Sequence, residues 1–81
     1  MKRAEAIRRV RAAAKAGEVT YLGYGKVAME KRGIPADAVL ALLARATSFK
    51  PQTQDHWRVF SAELTVIVWI RPEGVFVRNV F

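Results

Sequence analysis

The chain contains no cysteine and a single histidine, His56. Without cysteine there is no disulfide framework and no thiolate zinc site. One histidine leaves too few ligands for a histidine-based metal centre, so neither a metal nor another cofactor is expected. Long apolar runs are also missing. The longest, Ala38–Ala44, has seven residues, against roughly 20 needed to span a bilayer. No membrane association is expected. No apolar signal region follows the basic start. The first 16 residues are Arg-rich and acid-poor, as in a transit peptide, but removing them leaves a meagre domain. A cytoplasmic protein is the expectation.

Acidic residues are scarce: seven, against 14 Lys and Arg, for a net charge of +7 on 81 residues. That length holds one small domain, and two will not fit. The hydrophobic fraction of 52%, with two Trp, two Tyr and four Phe, excludes a disordered chain. The charge is unevenly spread. Residues 1–16 carry +5, residues 17–50 carry +2, and residues 51–81 are neutral. A basic excess in one element favours an anionic partner, either nucleic acid or an acidic protein segment.

Residues 3–16 read as a helix of Ala, Arg and Lys with Ile7, Val10 and Ala14 on one stripe. Gly17 stops it. Val19–Leu22 has β-type residues in a run too short to assign. Tyr24–Arg32 reads as a second helix ended by Gly33. Pro35 opens a third, with Asp37 complementing its dipole and Val39, Leu42, Leu43 and Ala46 forming its apolar face. After Arg45 the chain becomes β-branched and aromatic. Arg71-Pro72-Glu73-Gly74 is a hairpin signal, with Pro at the second turn position and Gly at a left-handed bulge. Residues 47–81 therefore predict an antiparallel meander of three or four strands. Helices first and sheet last predict an α+β fold.

Pairing Arg71 with Val75 predicts that Leu64, Val66, Val68, Ile70, Phe76, Arg78 and Val80 share one face. Thr65, Ile67, Trp69, Val75, Val77, Asn79 and Phe81 then share the other. Three helices cannot easily cover both faces of so small a sheet, so one face is expected to stay partly open, with aromatic and cationic groups on it. Arg78 is the most informative residue. It must pair with a carboxylate, snorkel past an edge, or meet an anionic ligand.

No P-loop, dinucleotide fingerprint, zinc-protease motif or Ser/Cys nucleophile with an ordered His and acid is present. Gly23-Tyr24-Gly25-Lys26 lacks P-loop spacing and reads as a helix-entry turn. What remains is a set of polar groups that need no metal. RNA cleavage requires a base for the 2′-OH proton, a cation for the charged phosphorane, and an acid for the leaving oxygen. Lys50, Arg58 and Arg78 are candidates for phosphate contact and charge stabilisation, and His56 and Tyr24 for proton transfer. Arg8, Arg11, Lys15 and Lys26 are candidate RNA-binding cations, and Trp57 a candidate base-stacking ring. The bland alternatives are a solvated helix face for the α-helical arginines, a rim position for His56, a solvated loop for Lys50, and core positions for Trp57, Trp69 and Phe60.

The order of these features is familiar. A basic helix precedes the run Tyr24–Val39, then Ser48-Phe49-Lys50, then His56-Trp57-Arg58-Val59-Phe60, then two hydrophobic strands. Over residues 20–81 this resembles small type II toxin–antitoxin RNases of the RelE-like fold, closest in pattern to MqsR-type toxins. Met29–Ile34 is also similar to the end of the "H-A-x-x-R-M-x-x-R-G-I" helix of related toxin-like domains, without its leading His. The resemblance implies mRNA cleavage, on or off the ribosome, neutralised by a cognate antitoxin. It implies a phosphate-contacting role for Lys50, which lies one residue short of the family lysine. Arg58 stands nearest the family's strand Gln and Arg78 nearest its C-terminal cation. The family's Tyr has no counterpart in residues 64–70. Two other classes fit the composition. One is a non-catalytic nucleic-acid-binding module that uses the first helix as a phosphate clamp. The other is a protein-interaction module for an acidic partner.

Overall fold

A computed structural model describes residues 1–81. Helix α1 covers Arg3–Ala16 and ends where Gly17 turns left-handed at φ 70°. The Gly17 and Glu18 amides then cap the last turn through Ala14 O and Ala13 O. Its buried stripe is Ala6, Val10 and Ala14. These small side chains let the helix lie close to its neighbours, while Ile7 packs at the margin. Strand β1 (Val19–Tyr21) leads into α2 (Gly23–Arg32), and α3 (Ala36–Arg45) follows Pro35 at its N-cap. The remaining chain forms β2 (Ser48–Pro51), β3 (His56–Phe60), β4 (Thr65–Arg71) and β5 (Gly74–Val80).

The fold is α+β: three helices pack on a mostly antiparallel sheet of five strands in the order β1-β5-β4-β3-β2. Strands β2 to β5 are the expected C-terminal meander. Strand β1 adds at the far edge, parallel to β5. Its three residues are too few to show strand periodicity. Helix α2 continues beyond β1 along the edge of β5, where the Leu22 amide donates to Val77 O at 2.9 Å. Gly25 makes this approach possible. A Cβ there would stand 2.8 Å from Val77 O.

The core holds 14 buried apolar residues and no buried polar one. Helices α1 and α3 contribute Val10, Val39 and Leu43. The inner face of the sheet contributes Phe49, Trp57, Val59, Val66, Val68, Ile70, Val75, Val77 and Val80.

The β4–β5 register differs from the expected one. Arg71 pairs with Gly74, so the turn is the pair Pro72-Glu73, and Trp69 pairs with Phe76 and Val68 with Val77. Gly74 is no left-handed bulge; its φ is 155°. The bulge lies further along. Ile67 pairs with Asn79, which leaves Arg78 as the extra residue, and Val66 then pairs with Val80 as expected. A bulge re-aims side chains and changes the alternation of faces. The two-residue turn shifts β5 by one against β4, so Val75 and Val77 join the core while Phe76 and Arg78 move to the opposite face, and the bulge then returns Val80 to the core.

Candidate nucleic-acid interface

The outer face of the sheet is the side that α1 and α3 leave free. Cross-strand pairing sets its side chains in rows. One row runs Lys50, Arg58, Ile67, Asn79 across β2, β3, β4 and β5. The next runs His56, Trp69, Phe76, Thr20 across β3, β4, β5 and β1. The bulged Arg78 sits beside both. Four of the five expected catalytic candidates, Lys50, His56, Arg58 and Arg78, thus share one open face.

Trp69 is the hub of this face. Its ring stacks on His56 with centroids 5.3 Å apart and planes 9° from parallel. Phe76 lies 6.0 Å away on the other side. The guanidinium carbon of Arg71 is 4.5 Å from the indole centroid and that of Arg78 is 5.2 Å from it. A cation over an indole is attracted to the ring's negative face.

His56 is fixed from below. Its Nδ1 donates to Thr53 O at 2.8 Å and to Gln54 O at 3.1 Å. Carbonyl oxygens only accept, so Nδ1 carries the proton. In the neutral imidazole Nε2 is then the free acceptor. The loop that supplies these carbonyls holds Gln54 at φ 43° and Asp55 at φ 64°. A non-glycine residue in the left-handed region costs of order 1 kcal/mol and is held by its surroundings. Here the Ile70 amide donates to Asp55 O and the His56 amide to Thr53 O, each at 2.9 Å.

Charges on this face are largely unpaired. Lys50, Arg58 and Arg78 have no carboxylate within 4.0 Å, and Arg58 Nε is covered without an acceptor. Arg71 Nε alone meets an acid, Glu73, at 3.3 Å. Glu73's own backbone amide, and then Arg71, hold its carboxyl below the usual value. The neutral charge of residues 51–81 conceals this pattern. Their cations stand on strands, whereas Asp55, Glu63 and Glu73 stand in turns.

The other expected residues lie elsewhere. Trp57 is only 4% exposed and packs on Phe49 in the core, so it cannot stack on a base. Tyr24 is 85% exposed in the first turn of α2, on a different element from the cluster. Lys26 lines a cavity of about 420 Å³ between α2 and α3, with Tyr21 and Glu30. Arg8 and Lys15 are exposed on α1, behind the sheet. Arg11 is used internally, donating to Arg45 O at 3.4 Å and Ala46 O at 3.1 Å. Its neighbours behave alike. Arg9 donates to Arg71 O at 2.6 Å, and Arg3 donates to Thr47 O at 2.6 Å and Phe49 O at 3.1 Å.

Three residues of the cluster, Trp69, Arg71 and Phe76, escape a reading of residue types. The available signal was alternation along β4, where Val66, Val68 and Ile70 face inward and leave Ile67, Trp69 and Arg71 outside. Comparison with known proteins finds no matching family model, curated protein or solved structure. The functional reading therefore rests on the residues themselves.

Proposed function

We propose that the protein is a metal-independent endoribonuclease, of the kind that serves as the toxin of a type II toxin–antitoxin pair. The observation that carries this reading is the meeting of His56, Arg78 and Arg71 around Trp69 on an open cationic face. A fixed imidazole with a free Nε2 is a general base. It removes the proton of a ribose 2′-OH. The freed oxygen bonds to the adjacent phosphorus, and the bond from phosphorus to the 5′ oxygen breaks. Arg78 and Arg58 stabilise the negative charge that gathers on the phosphorane. Water on the open face protonates the leaving 5′ oxygen. The products are a 2′,3′-cyclic phosphate and a free 5′-OH.

A cognate antitoxin on this reading covers the outer face. The β2 edge is a poor alternative, because Arg3 already occupies the Thr47 and Phe49 carbonyls and Pro51 offers no N–H.

The test is cleavage of single-stranded RNA by purified protein in EDTA. His56→Ala is expected to lower the rate about 10²- to 10⁴-fold, and Arg78→Ala about 10²-fold or more. Lys15→Ala should leave it unchanged. Both active-face variants should relieve growth arrest on induced expression. Cleavage that survives His56→Ala, or that EDTA abolishes, defeats the mechanism. Binding without cleavage identifies a non-catalytic RNA-binding module on the same face.

A further inference from the structure

We infer that the exposed side of α3 is the contact through which two copies of this chain form an antiparallel dimer. Asp37, Ala41 and Arg45 are all exposed, and their steps of four along α3 place them on one stripe. Asp37 and Arg45 stand about 12 Å apart along the axis. Neither has an opposite charge within 4.0 Å. A second α3 turned antiparallel about Ala41 sets each Asp37 beside the copy's Arg45. A two-fold axis repeats every contact, so both charge pairs form together. A parallel copy would instead set acid against acid and cation against cation.

The surface beside this stripe can receive the copy. A groove of about 740 Å³ runs from α3 to the turn between β3 and β4, and Ile34, Leu42, Phe60 and Leu64 give it an apolar lining. All four remain partly exposed in the single chain. Ala41 borders the groove, and its small side chain lets a second helix approach to the short end of the usual 8–10 Å separation. Arg45 and Glu63 are the only charged groups that line it. With Asp37 the face holds two acids and one cation, on a chain of net charge +7. An anionic partner gains little from such a face. A second copy is cationic overall, so it is repelled elsewhere and complemented here. A standard interface buries about 800 Å² per partner, about a sixth of this molecule's 5091 Å². A ten-residue helix with the groove beside it reaches the low end of the size range. The dimer is therefore weak, with a dissociation constant on the order of 10 μM. Helix α3 lies across the core from the outer face, so both outer faces stay free and dimerisation does not depend on the RNA reading.

Sedimentation equilibrium of the purified chain tests the contact, with 9.1 kDa as the mass of one copy. Salt of about 0.15 M screens charges beyond about 8 Å and leaves contacting pairs largely intact. At about 100 μM most of the chain is expected to be dimeric. Arg45→Asp sets acid against acid at both ends, and Asp37→Arg sets cation against cation. Each should weaken self-association at least about tenfold. An equimolar mixture of these two variants should dimerise again, because each end then joins an acid to a cation. Ala41→Glu, at an exposed helical position, sets two carboxylates together at the axis and should leave a monomer. Urea midpoints close to the parent's establish that the variants fold. A parent that stays monomeric to about 1 mM overturns the dimer and leaves the groove to an amphiphile or a partner of another sequence. Single variants that self-associate like the parent, or that ignore each other when mixed, overturn the antiparallel α3 contact.

Discussion

Tyr21 ends β1 with its hydroxyl buried and without an acceptor. Burial, and then the nearby Asp37 charge, push its phenol above the ordinary value of 10.0. The folded state thus holds the phenol proton where the unfolded chain has lost it. Stability linked to this group is complete below pH 10.0 and is lost as pH rises through the folded value. Tyr21→Phe removes a hydroxyl that makes no hydrogen bond. It is expected to leave neutral-pH stability unchanged or raise it by up to about 1 kcal/mol, and to flatten the alkaline loss. Urea unfolding at neutral and alkaline pH checks both; a variant as alkali-sensitive as the parent refutes the assignment. The same scale shows what residue identity alone conveys. His56, Lys50, Arg58 and Arg78 were legible as candidates because few other groups can carry the chemistry. The two tryptophans were not separable by type. Trp57 stands on the buried phase of β3 and Trp69 on the open phase of β4, a matter of register.

At the scale of elements, α2 depends on one missing side chain. A Cβ on Gly25 would meet the Val77 carbonyl oxygen at 2.8 Å and its Cγ1 at 3.2 Å. Backbone cannot rotate away as a side chain can, so α2 must shift from the edge of β5. Gly25→Ala is expected to destabilise the fold by about 1–3 kcal/mol, although alanine favours helix by about 1 kcal/mol over glycine. Chemical denaturation measures this, and a neutral or stabilised variant would mean that α2 does not lie where described. The helices were legible because their ends are chemically marked: Gly17 and Gly33 both adopt left-handed caps, and Pro35 precedes α3. Strand β1 was not, since a three-residue strand parallel to a partner more than 50 residues away leaves no local signature. The bulge escaped for a related reason. Nothing in Val77-Arg78-Asn79 announces an extra residue; the shorter turn at Pro72-Glu73 carries Arg78 to the Trp69 side, and the bulge returns Val80 to the core.

Across the whole molecule, the +5 of the first 16 residues suggested a helix that clamps phosphate. Three of its four arginines, Arg3, Arg9 and Arg11, instead hold the molecule to itself, and Arg8 is exposed. Arg3 covers the β2 edge, Arg9 reaches Arg71 O, and Arg11 reaches the carbonyls that end α3. Guanidinium groups suit carbonyls at a helix end, where the dipole is negative. The core separates this layer from the outer face, and salt screens charges beyond about 8 Å at physiological ionic strength. Stability and RNA affinity should therefore respond to different cations. Replacing Arg3, Arg9 and Arg11 together by Gln is expected to cost about 2–4 kcal/mol of stability, since charge-assisted hydrogen bonds contribute most when partly buried. RNA affinity, measured well below the unfolding midpoint, should change only a few-fold. The salt dependence locates the phosphate contacts directly. If Lys50, Arg58, Arg71 and Arg78 carry them, log affinity against log salt should fall with a slope of about −3 for a single strand, in the parent and in the triple variant alike. A triple variant that keeps its stability but loses about two units of slope would return the phosphate contacts to α1 and remove them from the sheet.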